Sequence, residues 1–165
     1  MEKRIHLLDH MQIMHKLKRI AFQLYENNLN EKAIYIGGIG ERGAFIAEKI
    51  ASELRDLEAL TVHYFQITTQ HTTKEIELSL DKTVLQNQTI VIVDDVLNTG
   101  KTLIEVMMPL FACKPTRIET CFLAQRNHRM FPVTGDYVGL KLATTFQEHI
   151  FFDCSNHNDL KLYIE

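Results

Sequence analysis

The sequence predicts an α/β fold, a Rossmann-like parallel sheet flanked by helices, on three observations. Short apolar runs of strand composition alternate along the chain with stretches of helical periodicity. One run, "TIVIVDD" (89–95), is almost wholly apolar until its last two residues, as a central strand covered on both faces must be. Two glycine-containing turns, "GGIGERG" (37–43) and "NTGKT" (98–102), each follow such a strand and precede a helical pattern.

The elements follow in order. From Met11 to Leu24 the residues Ile13, Met14, Leu17, Ile20, Ala21 and Leu24 recur at steps of three and four, which puts them on one face of a helix. "AIYIGG" (33–38) reads as a short buried strand, and Ala44 to Leu54 as a second helix. "LTVHYFQIT" (60–68) has strand composition. The stretch "TTQHTTKEIELSLDKT" (68–83) alternates Ile76, Leu78 and Leu80 like a plain strand. Beyond 89–95 the pattern gives a helix from Leu103 to Phe111, then strands at "IETCFLA" (118–124) and "DYVGLKLA" (136–143). No repeat, low-complexity tract or linker divides the chain, so one domain is expected over 1–165.

Composition bounds the function. The chain has 165 residues, 45% apolar and 24% charged, enough for a core without staples. A formal net charge of −3 gives no global attraction to nucleic acid. No apolar run approaches the roughly 18 residues that span a bilayer, so a cytoplasmic protein without a membrane partner is expected. Cys113, Cys121 and Cys154 are odd in number and widely spaced, unlike a zinc or redox motif. His71, His149 and His157 are too scattered to make a metal site. Phe45, Phe65, Met107, Met108 and Phe122 are expected in the core.

The two turns carry the chemistry. "GGIGERG" contains G-x-G-x-x-G at Gly38, Gly40 and Gly43, but a dinucleotide site also needs an acid about 20 residues on, at the end of the next strand. His63, Tyr64 and Phe65 stand there, while Asp56 and Glu58 fall before the strand. Gly100-Lys101-Thr102 resembles the end of a Walker A loop, yet Asp95 stands where that loop needs glycine, and a carboxylate there repels a triphosphate. What remains is a strand ending in paired carboxylates, followed by a turn whose amides can wrap one phosphate. Carboxylates suit hydroxyls and amides suit a phosphate, and ribose 5-phosphate offers both.

Residues 91 to 103, "VIVDDVLNTGKTL", match in full the phosphoribosyl pyrophosphate signature of the type I phosphoribosyltransferases, and the chain resembles that family. The opening helix "HKLKRIAFQLYENN", the run "NHRMFPVTGDYVG" (127–139) and the tail "NDLKLYIE" (158–165) resemble more narrowly the bifunctional pyrimidine-operon attenuator and uracil phosphoribosyltransferases. The resemblance implies the type I fold with a small hood. It implies that Asn98, Thr99, Gly100, Lys101 and Thr102, with Leu103, hold the 5-phosphate, and that Asp94 and Asp95 bond the ribose hydroxyls. It places Gly38, Ile39, Gly40, Glu41, Arg42 and Gly43 in a pyrophosphate-binding loop, with Arg42 as counter-charge, so that Asp94, Asp95 and Arg42 form the catalytic set. Mg2+ is expected to travel with the substrate near Asp94 and Asp95, with no direct protein metal site. The implied partners are phosphoribosyl pyrophosphate (PRPP), a nucleobase or nucleoside monophosphate, RNA, and a second copy in a homodimer. Arg126, His128, Arg129, Lys18 and Arg19, together with His15, are the candidates for base or RNA contact.

The base is narrowed by Asn98, which stands where the 6-oxopurine members carry an aspartate as general base and which cannot take up a proton. A hypoxanthine-guanine enzyme is therefore disfavoured, and the narrower resemblance implies uracil as the acceptor. The chain departs from the family in three places: the 68–83 segment looks shorter and less charged, Ala124-Gln125-Arg126-Asn127-His128 lacks a carboxylate, and Glu41 replaces a neutral residue. A second reading follows from these, a non-catalytic sensor of PRPP or a nucleotide that regulates RNA or a protein partner. An ordered 68–83 segment with no basic residue aimed into the cleft favours it.

Overall fold

A computed structural model describes residues 4–57, 60–69, 75–143 and 148–165. In chain order the elements are β1 (Ile5–Leu8), α1 (His10–Asn27), β2 (Ala33–Ile39), α2 (Gly40–Arg55), β3 (Thr61–Thr69), β4 (Ile76–Leu78), a 3-10 turn (Lys82–Leu85), β5 (Thr89–Leu97), α3 (Lys101–Ala112), β6 (Arg117–Arg126), β7 (Tyr137–Leu142), β8 (Ile150–Asp153) and β9 (Lys161–Ile164). The main sheet has six strands in the order β4-β3-β2-β5-β6-β7. Its strands pair in parallel except for β4, which runs antiparallel to β3 at the edge. This is the α/β class the alternation predicts.

The uninterrupted apolar run of β5 has a direct structural cause. Val91 and Val93 face a core shared with α1 and α2, while Ile90 and Ile92 face a second core shared with Leu103, Val106 and Leu110 of α3. Alternate side chains thus meet helices on both sides, and neither face can be polar.

The helices start earlier than periodicity suggests. Before α1, the Asp9 carboxylate accepts the Gln12 N–H at 2.8 Å and the Gln12 side chain accepts the Asp9 N–H at 3.0 Å, a reciprocal capping box. α2 begins at Gly40, so Gly40, Glu41, Arg42 and Gly43 form its first turn and only Gly38 and Ile39 belong to the strand end. The expected loop is therefore mostly helix. The other end of α1 is tied down by buried polar groups: Asn28 donates to Glu119 Oε2 at 3.0 Å, and the Tyr137 hydroxyl donates to the same oxygen at 3.1 Å.

Three strands went unassigned in the sequence. β1, β9 and β8 form a separate antiparallel sheet in that order, so its middle strand comes from the far end of the chain and one edge from the beginning. Leu8, Ile150, Phe152, Leu160, Leu162 and Ile164 of this hood share one apolar cluster with α1 and α2. Among the described residues, no helix is long and apolar enough to cross a membrane.

Candidate functional site

In the main sheet β2 and β5 are neighbours, and the chain moves outward from them in opposite directions, to β3 on one side and to β6 and β7 on the other. A crevice opens at the carboxyl ends of such a pair, and both glycine turns lie there. Gly43 allows their close approach: a Cβ on it would stand 2.7 Å from the Val93 carbonyl oxygen and 3.2 Å from Asp94 Oδ1. Any side chain would lever α2 off the end of β5.

Asp94 and Asp95 close that end. Asp94 Oδ1 accepts the Asp95 N–H, and Asp95 Oδ1 accepts the Val96 N–H, each at 2.8 Å. Across the crevice, Arg42 Nη1 is 3.6 Å from Asp95 Oδ2. Burial first, and the neighbouring Asp95 second, push the Asp94 carboxyl well above the usual carboxylate range, with Arg42 opposing. The two acids are thus unequal. Burial disfavours the charged form of Asp94, whereas Asp95 stands beside the guanidinium.

The turn after β5 forms a small cavity of about 50 Å³, lined by Asp94, Asn98, Thr99, Gly100, Thr102 and Leu103 among others. Gly100 precedes α3 with φ +88°, a left-handed conformation, and offers no side-chain cap to the helix. The first amides of α3 are left to a ligand, apart from the Lys101 N–H, which lies 3.3 Å from Thr99 Oγ1. Lys101 is exposed, with Nζ 3.9 Å from Glu105.

The segment after β6 roofs this turn. The Met130 and Phe131 N–H groups both donate to the Thr99 carbonyl, at 3.2 and 3.1 Å. Gln125 anchors it from below, its Oε1 accepting the Gly135 N–H at 2.8 Å. Arg126 is nearly buried, 7% exposed, and its Nη1 donates to Asn98 Oδ1 at 2.7 Å. Arg129 donates to the Arg126 carbonyl at 2.8 Å, and His128 is exposed. Arg126 therefore stands buried behind Asn98 and is unsuited to a surface contact with RNA. Lys18 lies 3.8 Å from Glu53, and Arg19 donates to the Val138 and Gly139 carbonyls, at 3.2 and 3.3 Å. Arg19 and His15 line a separate depression with Leu8, Gln12 and Lys16.

A further cleft, of about 550 Å³, lies between the first turns of α2 and the hood. Glu41, Arg42 and Phe45 line one side, and Phe152, Asp153, Cys154, Ser155, His157 and Tyr163 the other. The rings of Phe45 and His157 are 4.7 Å apart at 46°. Phe45 is buried in the main core, as expected, and its ring edge also reaches this cleft; sequence reasoning missed the wall and counted His157 as scattered, because only the pairing of β1, β9 and β8 brings the hood here. The 68–83 segment is described in part: β4 pairs with β3, and Ile76, Leu78 and Leu80 pack on the second core. Residues 70–74, with His71 and Lys74, lie outside the described residues.

The phosphoribosyl transferase domain family matches residues 5–155. The chain belongs to that family. As a phosphoribosyltransferase it is a pentosyltransferase, and membership implies PRPP and a nucleobase as substrates, with Mg2+ generally accompanying PRPP. Among curated relatives, the bifunctional protein PyrR of Streptococcus agalactiae is 29% identical over 161 residues, covering 94% of this chain and 93% of that one. PyrR of Streptococcus suis is 30% identical over 149 residues, covering 87% and 86%. Among solved structures, a hypoxanthine-guanine phosphoribosyltransferase of Bacillus anthracis superposes with a TM-score of 0.74 at 18% identity, covering 94% and 95%. A hypoxanthine phosphoribosyltransferase of Staphylococcus aureus gives 0.71 at 21%, covering 86% and 80%. These two share the phosphoribosyltransferase fold.

Proposed function

We propose that this phosphoribosyltransferase acts as one domain over 1–165 and transfers the phosphoribosyl group of PRPP to a pyrimidine, uracil before other bases. One observation supports the reading: the residue before Thr99 and Gly100 is Asn98, a carboxamide that cannot serve as general base. Its oxygen is held by Arg126, and Gln125 is spent on the Gly135 amide. The proton lost from the attacking ring nitrogen then leaves with the departing pyrophosphate oxygen or to solvent.

The remaining roles follow from chemistry. Asn98, Thr99, Gly100, Lys101 and Thr102 wrap the 5-phosphate at the start of α3. The carboxyl groups of Asp94 and Asp95 accept hydrogen bonds from the ribose hydroxyls. Gly38 to Gly43 bring the α2 amides and Arg42 to the pyrophosphate. The bond from C1 of the ribose to the pyrophosphate oxygen lengthens as a base nitrogen approaches. The cation-like sugar is stabilised by position and by the Asp95 charge, and Arg42 neutralises the departing anion.

Mg2+ fits this donor set as a substrate-borne ion. Among the described residues no cluster of three or more His, Cys, Asp or Glu side chains offers a cage of its own. Asp94 and Asp95 supply the hard oxygens such an ion takes, and the ion would offset the pyrophosphate charge.

The test is pyrophosphate release from labelled PRPP with Mg2+ and each common base in turn. Release with uracil well above that with hypoxanthine or guanine is expected; equal or greater release with a purine overturns the pyrimidine assignment.

An RNA-contacting surface is a second proposal, favoured by the grouping of His15, Lys16 and Arg19 around one depression of about 340 Å³ on α1. Its check is a mobility shift with leader RNA that weakens steeply with salt in the wild type and is lost in Lys16→Glu.

A further inference from the structure

We propose that Arg126 is a positioning residue, fixing the carboxamide of Asn98 with its NH2 group, not its oxygen, toward the sugar-phosphate crevice. The proposal rests on the reading of that crevice given above. The argument begins with what each group can do. A guanidinium only donates hydrogen bonds, whereas a carboxamide has one donating and one accepting end. Arg126 Nη1 lies 2.7 Å from the Asn98 side chain, so the atom it meets has to be the oxygen. Asn98 lines the small cavity with Asp94, Thr99, Gly100 and Thr102, and the end it has left for a ligand is the donor.

Arg126 is itself held in place. It is 7% exposed, on the last residue of β6, and its carbonyl accepts from Arg129. Its backbone therefore cannot follow Asn98 if the amide turns over. The consequence is that Asn98 itself offers the cavity a neutral donor and no acceptor. It selects a ligand that presents an accepting oxygen there, supplied by the 5-phosphate or by a carbonyl of the base, and it discriminates against one that presents an N–H.

Because Asn98 binds a group that does not change during the reaction, losing the contact weakens substrate and transition state alike, raising KM and sparing kcat. Arg126→Gln, which can donate or accept, lets the carboxamide turn over and is expected to raise one KM about tenfold. Arg126→Lys, which only donates, restores most of it. The rise falls on the KM for PRPP if the partner is the 5-phosphate, and on the KM for the base if it is a ring carbonyl; both results support the proposal. Asn98→Ala gives a similar rise, and adding Arg126→Gln to it changes nothing further, since Arg126 acts through Asn98. A fall in kcat with both KM values unchanged, or a double variant clearly worse than Asn98→Ala, overturns it. Independently of turnover, the Asn98 side-chain NH2 should give two sharp, distinct proton signals in 15N-labelled wild type and Arg126→Lys, broadened in Arg126→Gln. Identical signals in all three overturn the positioning role even where PRPP is bound, whereas a wild type that binds no PRPP sinks the reading of the crevice instead.

Discussion

Asp94 combines the clearest functional placement with a cost in stability. Its folded-state proton affinity is raised, so the stability it contributes is full below the ordinary value of 3.8 and is lost as pH climbs through the raised value. Asp94→Asn keeps the acceptor for the Asp95 amide and removes the buried charge. The variant should be more stable than wild type at pH 7 by about 1 kcal/mol, with the gap closing toward pH 4, while PRPP turnover falls at least tenfold. Urea midpoints at both pH values check this; an equal gap at both refutes the charge argument. Gly100 is a second such position. A Cβ on it would meet Val133 Cγ2 at 2.4 Å on a backbone with φ +88°, so the roof of the turn obstructs it. Gly100→Ala is expected to cost about 2 kcal/mol, and Val133→Ala in that background should recover the steric share but not the backbone share. The paired acids and the glycine were readable because their order along the chain is itself the signature. The inequality of Asp94 and Asp95 was not, since it comes from burial and from Arg42, which stands on another element.

Helix and strand existence followed from periodicity wherever an element packs on the sheet: β5 shows both of its faces in four successive apolar residues, and α1 shows its stripe. Boundaries were less readable for a physical reason. In α2 the glycines that permit contact with β5 look like loop residues in a sequence, and the helix starts at Gly40. In α1 a signal was present and unused: an acid followed three residues later by glutamine, Asp9 and Gln12, marks a capping box. Asp9→Ala should lower the folding free energy by about 1 kcal/mol, moving the urea midpoint without changing the slope. β8 and β9, four residues each, offer too little alternation to be recognised alone, and their register is set only by pairing with each other and with β1.

The molecule places its two ligand-facing regions on unlike supports. The sugar-phosphate crevice belongs to the rigid parallel sheet, and the wall opposite Arg42 belongs to a hood drawn from both chain ends. Deleting 161–165 removes the middle strand of that hood, leaving β1 and β8 without a partner and uncovering α1. Calorimetry of the deletion should show a transition lowered by at least about 5 °C, with turnover lost. An unchanged transition would mean that the hood adds nothing to the core beneath it.

That same arrangement bears on how the protein is made. Since β1 has its hydrogen-bonding neighbour in β9, it waits for the more than 150 residues between them before it can dock. A translation product stopped short of residue 161 keeps the roof over the Thr99–Gly100 turn and lacks the wall that the hood sets opposite Arg42.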